Sequence, residues 1–328
     1  MSDAIFLESV TKTFGAKVAV ADLDLAVPRG TLLGFIGPNG AGKTTTIRMI
    51  MSILFPDRGT VSVLGRASAL EAKDRIGYLP EERGLYKKMK VRDFLAYIAR
   101  LKGVDERQVT RRVHEWLGRV GLEEAERKKC EELSKGMQQK VQFVASVIHE
   151  PELLILDEPF SGLDPVNTRL LRQLLLEQHA RGATVVFSTH VMVQAEQICQ
   201  QLVMINDGRK VLDDSLANIR AAHDPRTLLF EPLDPQADLA PLRALPAVAD
   251  VGRADGTYEI LLREGYAPAE VMRDVVAAVP PARVEVRRPT LEDVFVGIVA
   301  GDVDHSPDIR ALRASLREPA GSSAAGQR

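Results

Sequence analysis

Gly37-Pro-Asn-Gly-Ala-Gly-Lys-Thr-Thr45 is the stretch from which the fold of this chain can be read. It fits the phosphate-loop pattern G-x-x-x-x-G-K-[ST], with Gly37, Gly42, Lys43 and Thr44 in the defining places. A polyphosphate is gripped by backbone N–H groups turned inward, so the side chains at such a turn must be small or absent. That requirement accounts for Gly37, Pro38, Asn39, Gly40, Ala41 and Gly42 as the candidate cradle. A helix opening at Lys43 points its positive dipole end at the same anion. Lys43 supplies a mobile ammonium for the β- and γ-phosphates, and the hydroxyl of Thr44, followed by Thr45, suits Mg²⁺. The flanks agree with this reading. Thr31 to Ile36 is a short apolar run that predicts a buried strand, and Thr44 to Ile50 predicts a helix. Strand, loop and helix in that order is the setting the motif requires.

Composition narrows the class. The 328 residues allow one large domain and a small one, and an apolar content of 45% is ordinary for a chain with a good core. Lys and Arg number 43 against 45 Asp and Glu, a net charge of −2, so no global field argues for nucleic acid. The two cysteines, Cys130 and Cys199, read as incidental reduced thiols. The N-terminus lacks a basic segment followed by a long apolar stretch, and no run approaches the roughly 18 apolar residues of a membrane span. The expected address is the cytoplasm.

Outward from the loop, residues 1 to about 30 alternate polar and apolar through Ile5, Leu7, Val10, Val18, Val20, Leu23, Leu25 and Val27, which predicts antiparallel strands. Gly59 to Gly65 predicts another strand. A helical insert is expected from about 88 to 150. Within it, Val91, Phe94, Leu95, Ile98 and Leu101 form one apolar stripe, a second helix covers 108–120, and a long one follows Leu133-Ser-Lys-Gly136. Leu153–Leu156 and Thr184–Ser188 are near-continuous apolar runs, as strands covered on both faces should be, with helices at 166–180 and 191–200. Past residue 224 prolines and alanines accumulate. A second unit over 226–300 is expected as strand 227–231, helix 236–243, strands 248–252 and 257–262, helix 268–278, strand 282–287 and a closing helix 290–299. That β-α-β-β-α-β order is ferredoxin-like. The domains are therefore 1–222 and 226–300, with a frayed tail over 301–328 carrying a short helix at 308–317.

Leu153-Leu-Ile-Leu-Asp-Glu158 places two carboxylates at the C-terminal end of a buried strand, where parallel sheets bind ligands. Asp157 is suited to hold Mg²⁺ beside Thr44, and Glu158 to orient or deprotonate a water. Together with these, Leu133-Ser-Lys-Gly-Met137, Ser161-Gly-Leu-Asp164, Ser188-Thr-His190 and Phe14 stand in the order of the ABC superfamily of ATP-binding subunits, which residues 4 to about 215 resemble. The resemblance implies an α/β P-loop NTPase core of ABC type with an antiparallel β subdomain and a helical insert, followed by the small α+β domain. It implies ATP and Mg²⁺ as cofactors, an adenine stacked on Phe14, and a γ-phosphate contact and catalytic role for His190 alongside Lys43 and Glu158. It also implies that Ser134 and Gly136 serve the nucleotide of an opposed subunit in a head-to-tail homodimer or heterodimer, and that Asp164, in the D-loop, binds nucleotide. The other histidines, at 114, 149, 179, 223 and 305, carry no motif and read as structural.

Two departures stand out. Glu81 follows Gly77-Tyr-Leu-Pro80 where the family usually has glutamine; its carboxylate is either a candidate metal ligand beside Thr44 and Asp157 or, repelled by Asp157 and Glu158, a residue of the membrane-partner contact. Lys135 and Met137 replace Gly and Gln in the signature. The strings Glu81-Glu-Arg-Gly-Leu-Tyr86 and Pro289-Thr-Leu-Glu-Asp-Val-Phe295 resemble bacterial export ATP-binding subunits, including the sodium-extrusion type. The expected function is ATP hydrolysis that energises a separate membrane permease for export, with the subunit peripheral on the inner face of the cell membrane. The alternative is a non-transport ATP-switched binding module of translation or DNA repair. Against it stand one ATPase unit per chain and an insert of transporter size. The cluster Lys87-Lys88-Met-Lys90 reads as a solvated face, and no nucleic-acid partner is expected.

Overall fold

Leu32–Ile36, Leu153–Asp157 and Thr184–Thr189 are strands, and every residue in them is buried in the computed structural model. The structure describes residues 3–82, 84–222, 227–254, 257–287 and 290–300. The expected tail over 301–328, its helix at 308–317, and His223 and His305 lie outside the described residues. In chain order the first strands are β1 Asp3–Phe14, β2 Lys17–Pro28, β3 Leu32–Ile36, β4 Arg58–Val63, β5 Ile76–Leu79, β6 Leu153–Asp157, β7 Thr184–Thr189, β8 Gln201–Asn206 and β9 Arg209–Ser215. The helices among them are α1 Lys43–Ile50, α2 Val91–Leu101, α3 Glu106–Arg119, α4 Lys135–Val147, α5 Pro165–Ala180, α6 Met192–Ile198 and α7 Leu216–Ala222.

Six strands form one sheet in the order β5-β6-β7-β3-β8-β9, parallel except for the β8–β9 pair. The crossovers put α1, α5 and α6 directly after β3, β6 and β7, so the loops carrying the motifs gather at the carboxyl ends of adjacent strands. A second, antiparallel sheet runs β2-β1-β4. Its inward positions Ile5, Leu7, Val10, Val20, Leu23 and Leu25 share one core with Phe35 of β3 and Ile47, Met49 and Ile50 of α1. That shared core fixes the hairpin of β1 and β2 against the phosphate-loop helix. The insert is helical as expected, built on α2, α3 and α4. Among the described residues no helix is long and apolar enough to cross a membrane.

The chain divides between Leu216 and Ala217 into two compact units. The second, Ala217–Gly297, contains β10 Thr227–Pro232, α8 Ala240–Arg243, β11 Val248–Ala254, β12 Thr257–Leu262, α9 Pro268–Ala278, β13 Pro281–Arg287 and the part of α10 Leu291–Ala300 that precedes Ile298. Its sheet order is β11-β12-β10-β13, with every neighbouring pair antiparallel. The first strand is central and the last lies beside it at the sheet edge, with Thr227 facing Arg287. Leu228, Phe230, Ile260, Leu262, Val271 and Val275 form a core of their own.

Some elements differ from the sequence reading. The helix expected over 236–243 is only Ala240–Arg243, because Asp234 turns the chain by accepting from Gln236 N and Asp238 accepts from Ala240 N. Such side-chain bonds compete with helix propagation. Strand β5 and the β8–β9 hairpin were not anticipated, although Asp207-Gly208 joins the latter with φ of 45° and 74°. Those angles belong to a tight two-residue hairpin turn.

Candidate functional site

The loop after β3 closes on itself around backbone. A Cβ on Gly37 would lie 2.1 Å from the carbonyl oxygen of Ile205, and one on Gly42 would lie 2.5 Å from that of Ala19. Both glycines also take φ values that L side chains rarely adopt, 154° and 108°. Lys43 is buried, and its Nζ donates to the carbonyl oxygens of Gly37 at 2.7 Å and Pro38 at 3.1 Å. Burial lowers its pKa, a shift opposed by the charges of Glu158, Asp157 and Glu81. The loop and α1 border a groove of about 300 Å³ lined by Phe14, Lys17, Ala19, Asn39, Gly40, Gly42, Lys43, Thr44, Thr45, Glu81 and Glu158. Phe14 is half exposed at its rim, with Lys12 Nζ 5.7 Å from the ring centroid. Gly37, Pro38 and Ala41 form the loop's supporting side rather than the groove wall.

At the ends of β6 and β7 the acidic residues are tied to the next strand. Register pairs Asp157 with Ser188. The Ser188 hydroxyl donates to Asp157 Oδ1, and Glu158 N donates to Ser188 Oγ at 3.2 Å. Asp157 is fully buried, and burial raises its pKa against the opposing hydrogen bonds from Ser188 and Thr44. Glu158 sits at φ 49°, a strained left-handed conformation for a residue with a side chain. Its Oε1 accepts from His190 N at 2.9 Å and lies 2.8 Å from His190 Nδ1, so Nδ1 carries a proton toward the carboxylate. Among the described residues, two buried polar atoms here have no hydrogen-bond partner, Asp157 Oδ2 and His190 Nε2. Glu81 lies on the exposed side of the groove, and its pKa is raised by partial burial and then by the charges of Asp157 and Glu158.

These residues fit a Mg²⁺-polyphosphate. A buried carboxylate oxygen without a partner, next to the Thr44 hydroxyl, suits a cation. An inward-turned backbone with a lysine suits an anion, and the unpartnered imidazole nitrogen can donate to a phosphate oxygen when it carries a proton. Among the described residues, no group of three or more His, Cys, Asp and Glu could hold a metal by itself. Mg²⁺ needs none, because it is commonly held by one or two carboxylates and substrate phosphates.

The other predicted residues stand apart from this groove. Ser134 caps α4, accepting from Met137 N at 3.3 Å, and Gly136 lies in the first turn of that helix. Asp164 caps α5, accepting from Val166 N at 3.0 Å and Asn167 N at 2.9 Å. Gly136 is close to this cap: a Cβ there would meet Asn167 Nδ2 at 3.8 Å. Sequence reasoning missed Ser188 as the bridge between the carboxylates, and Lys17 and Ala19 as groove wall. Ser188 was visible only as part of a motif, since its role depends on strand register. Lys17 could have been found from its place opposite Phe14 across the tight turn at Gly15. Cys130 and Cys199 are free and buried.

Comparison with known proteins bears on this geometry. A family model described as ABC transporter matches residues 20–161, and one described as ATP-binding protein DrrA1-3-like, C-terminal domain, matches residues 215–299. The chain is 40% identical over 295 residues to the uncharacterized ABC transporter ATP-binding protein YhaQ of Bacillus subtilis (strain 168), covering 88% of this chain and 96% of that protein. It is 36% identical over 212 residues to the Nod factor export ATP-binding protein I of Burkholderia lata, covering 64% of this chain and 70% of that protein. A solved structure titled as the ATP binding subunit of an ABC transporter aligns with a TM-score of 0.63 at 33% identity, over 67% of this chain and 92% of that one. The transport reading therefore stands over the non-transport alternative: with its phosphate loop, paired carboxylates and these relatives, the chain belongs to the ATP-binding proteins of the ABC transporter family, which bind ATP with Mg²⁺ and hydrolyse it to power transport.

Proposed function

We propose that this subunit drives a separate membrane permease, in the direction of export, by closing and opening as a pair of ATP-binding subunits. The observation that carries the site assignment is the juxtaposition of Asp157 Oδ2 and His190 Nε2, both buried and unpartnered, around Glu158. In this reading Thr44 and Asp157 hold Mg²⁺, with Glu81 adding a third oxygen ligand from across the groove. A metal held there by Thr44 and Asp157 would supply positive charge against the phosphates. Lys43 and the amides of residues 37–45 hold the phosphates, and Phe14 stacks on the base. Glu158 takes or orients the proton of the attacking water. His190, fixed by its Nδ1–H bond to Glu158, turns Nε2 toward the γ-phosphate. The protein's contribution is positional and electrostatic, because phosphoryl transfer asks little covalent work of it.

Ser134, Gly136 and Asp164 are assigned to the nucleotide of a second subunit, homologous or identical. Their distance from the chain's own groove supports this, as does a helix N-terminus with a serine hydroxyl as an anion site. Helices α2 and α3 are assigned to the permease contact, which would hold the subunit at the inner face of the membrane. Export rests on the likeness to the Nod factor export protein. Residues 1–222 are read as the ATPase domain and 226–300 as an accessory domain.

Glu158→Gln tests the catalytic assignment. ATP binding should persist and a dimer should accumulate on gel filtration with ATP, while turnover falls by about a hundredfold or more. Turnover near the parent rate would remove Glu158 from the water-orienting role. Lys43→Ala should instead weaken ATP binding itself, measured by titration with a fluorescent ATP analogue.

A further inference from the structure

Two charges in this chain stand where the family pattern has uncharged residues, and their signs are opposite. Glu81 occupies a glutamine position and Lys135 a glycine position. Within one chain neither finds a counter-charge. Glu81 lines the nucleotide groove and has no ion pair among the described residues, whereas its neighbour Glu82 pairs with Arg48 at 3.3 Å. The charges acting on Glu81 are foremost those of Asp157 and Glu158, which repel it. Lys43 attracts it, but its Nζ donates to the carbonyl oxygens of Gly37 and Pro38. Lys135 is exposed and likewise has no ion pair among the described residues. The acids just before it in the chain are engaged elsewhere: Glu131 lies 3.9 Å from Lys129, and Glu132 Oε2 accepts from Lys129 N.

Lys135 is the first residue of α4, so its ammonium meets the positive end of its own helix dipole, an unfavourable placement. Helices α2 and α3 follow the favourable rule, with Asp93 and Glu106 in the first turn, while α4 has no acidic residue there. An anion arriving from outside the chain would offset that cost. The groove has the complementary imbalance. Mg²⁺ neutralises only part of the charge of a nucleoside triphosphate, so Glu81, Asp157 and Glu158 set against Lys17 and Lys43 leave the loaded site with negative charge in excess.

We propose that Lys135 of one subunit forms an ion pair with Glu81 of the other when two copies of this chain close over ATP, so that the two departures compensate each other across the interface. The inference rests on the reading that Ser134 and Gly136 serve an opposed subunit's nucleotide, since that reading brings the start of α4 to the groove of the second copy. A carboxylate has two oxygens, so Glu81 can give one to the metal and the other to the ammonium. Lysine suits the task, being a compact charge on a flexible four-carbon stem. By symmetry the closed dimer contains the pair twice. A subunit without the lysine makes a poorer partner, which favours a homodimer.

The test is a double-mutant cycle on dimerisation in MgATP, measured by analytical ultracentrifugation of the full chain carrying Glu158→Gln. With Glu81 present, Lys135→Gln should weaken the dimer about twenty-five-fold, roughly fivefold for each of the two pairs. Glu81→Gln weakens the dimer through the lost metal ligand as well, but adding Lys135→Gln to it should change nothing further. Lys135→Arg should keep the parent dimer. Raising salt from about 0.1 M to about 1 M should narrow the gap between the parent and Lys135→Gln. As a monomer, Lys135→Gln should bind a fluorescent ATP analogue as the parent does and unfold at an equal or higher temperature, which separates the pair from a folding defect. Equal losses from Lys135→Gln in both backgrounds would put the lysine on the phosphate or another anion and overturn the proposal, as would no loss in either. A Glu158→Gln parent that stays monomeric in MgATP would overturn the pairing of subunits itself, and the inference with it.

Discussion

His149 makes a residue-scale prediction. Its Nε2 lies 3.1 Å from the carbonyl oxygen of Ile76, which also accepts from Lys102 Nζ at 2.8 Å. Burial, reinforced by the Lys102 charge, pushes the imidazole pKa from 6.5 down to about 4. A base with a depressed folded pKa is neutral in the fold and takes up its proton first when unfolded. Stability from this group is therefore intact above pH 6.5, falls as pH drops below it, and stops falling near pH 4. By pH 5 the loss should be roughly 2 kcal/mol in urea unfolding. His149→Gln keeps an N–H for Ile76 and has no proton to gain, so its stability should be flatter over this interval; parallel curves for parent and variant would rule the account out. The sequence exposed residues of this kind unevenly. Lys43, Asp157 and Glu158 could be read because motif spacing implies their chemistry. The tuning of His149 could not, because it depends on Lys102 and Ile76, 47 and 73 positions away.

At the scale of elements, α4 separates folding from pairing. Ser134 has φ −62° and ψ 162° and caps the helix through its hydroxyl. Ser134→Ala should cost about 1 kcal/mol in thermal or urea unfolding. If its hydroxyl also meets a partner's nucleotide, ATP-driven dimerisation should fall far more than that loss explains. Ser134→Asp sharpens the point. Aspartate is as good a cap, so stability should hold, while its charge opposes a phosphate and dimerisation on gel filtration should fail. The legibility of the elements follows from their environments. Strands β3, β6 and β7 are buried on both faces and announce themselves as unbroken apolar runs. Strand β5 has four residues and includes Gly77, where a Cβ would lie 2.0 Å from Ser146 O, so tertiary packing sets its sequence more than strand preference does. The hairpin of β8 and β9 was legible in Asp207-Gly208. Helix α8 was over-read because the alanines and leucines around it suggest a helix that Asp234 and Asp238 cut short.

For the whole molecule, two separate cores predict two separable stabilities. Ile260 is fully buried in the second core. Ile260→Ala should cost that unit roughly 3 kcal/mol. Calorimetry should show one transition shifted down, with fluorescent-ATP affinity of the first unit unchanged; a shift of the whole profile together with lost ATP affinity would show that the units melt as one. The fold class and both halves of the architecture were available from periodicity and turn residues, whereas the Leu216–Ala217 division was not, since α7 runs through it without a break in composition. Where β10 begins and β13 ends, Thr227 lies opposite Arg287. The intervening 59 residues, 228–286, thus depart and return at one doorway. Two neighbouring cuts would lift them out as a cassette, and a foreign segment with closely spaced ends could be spliced into the same opening.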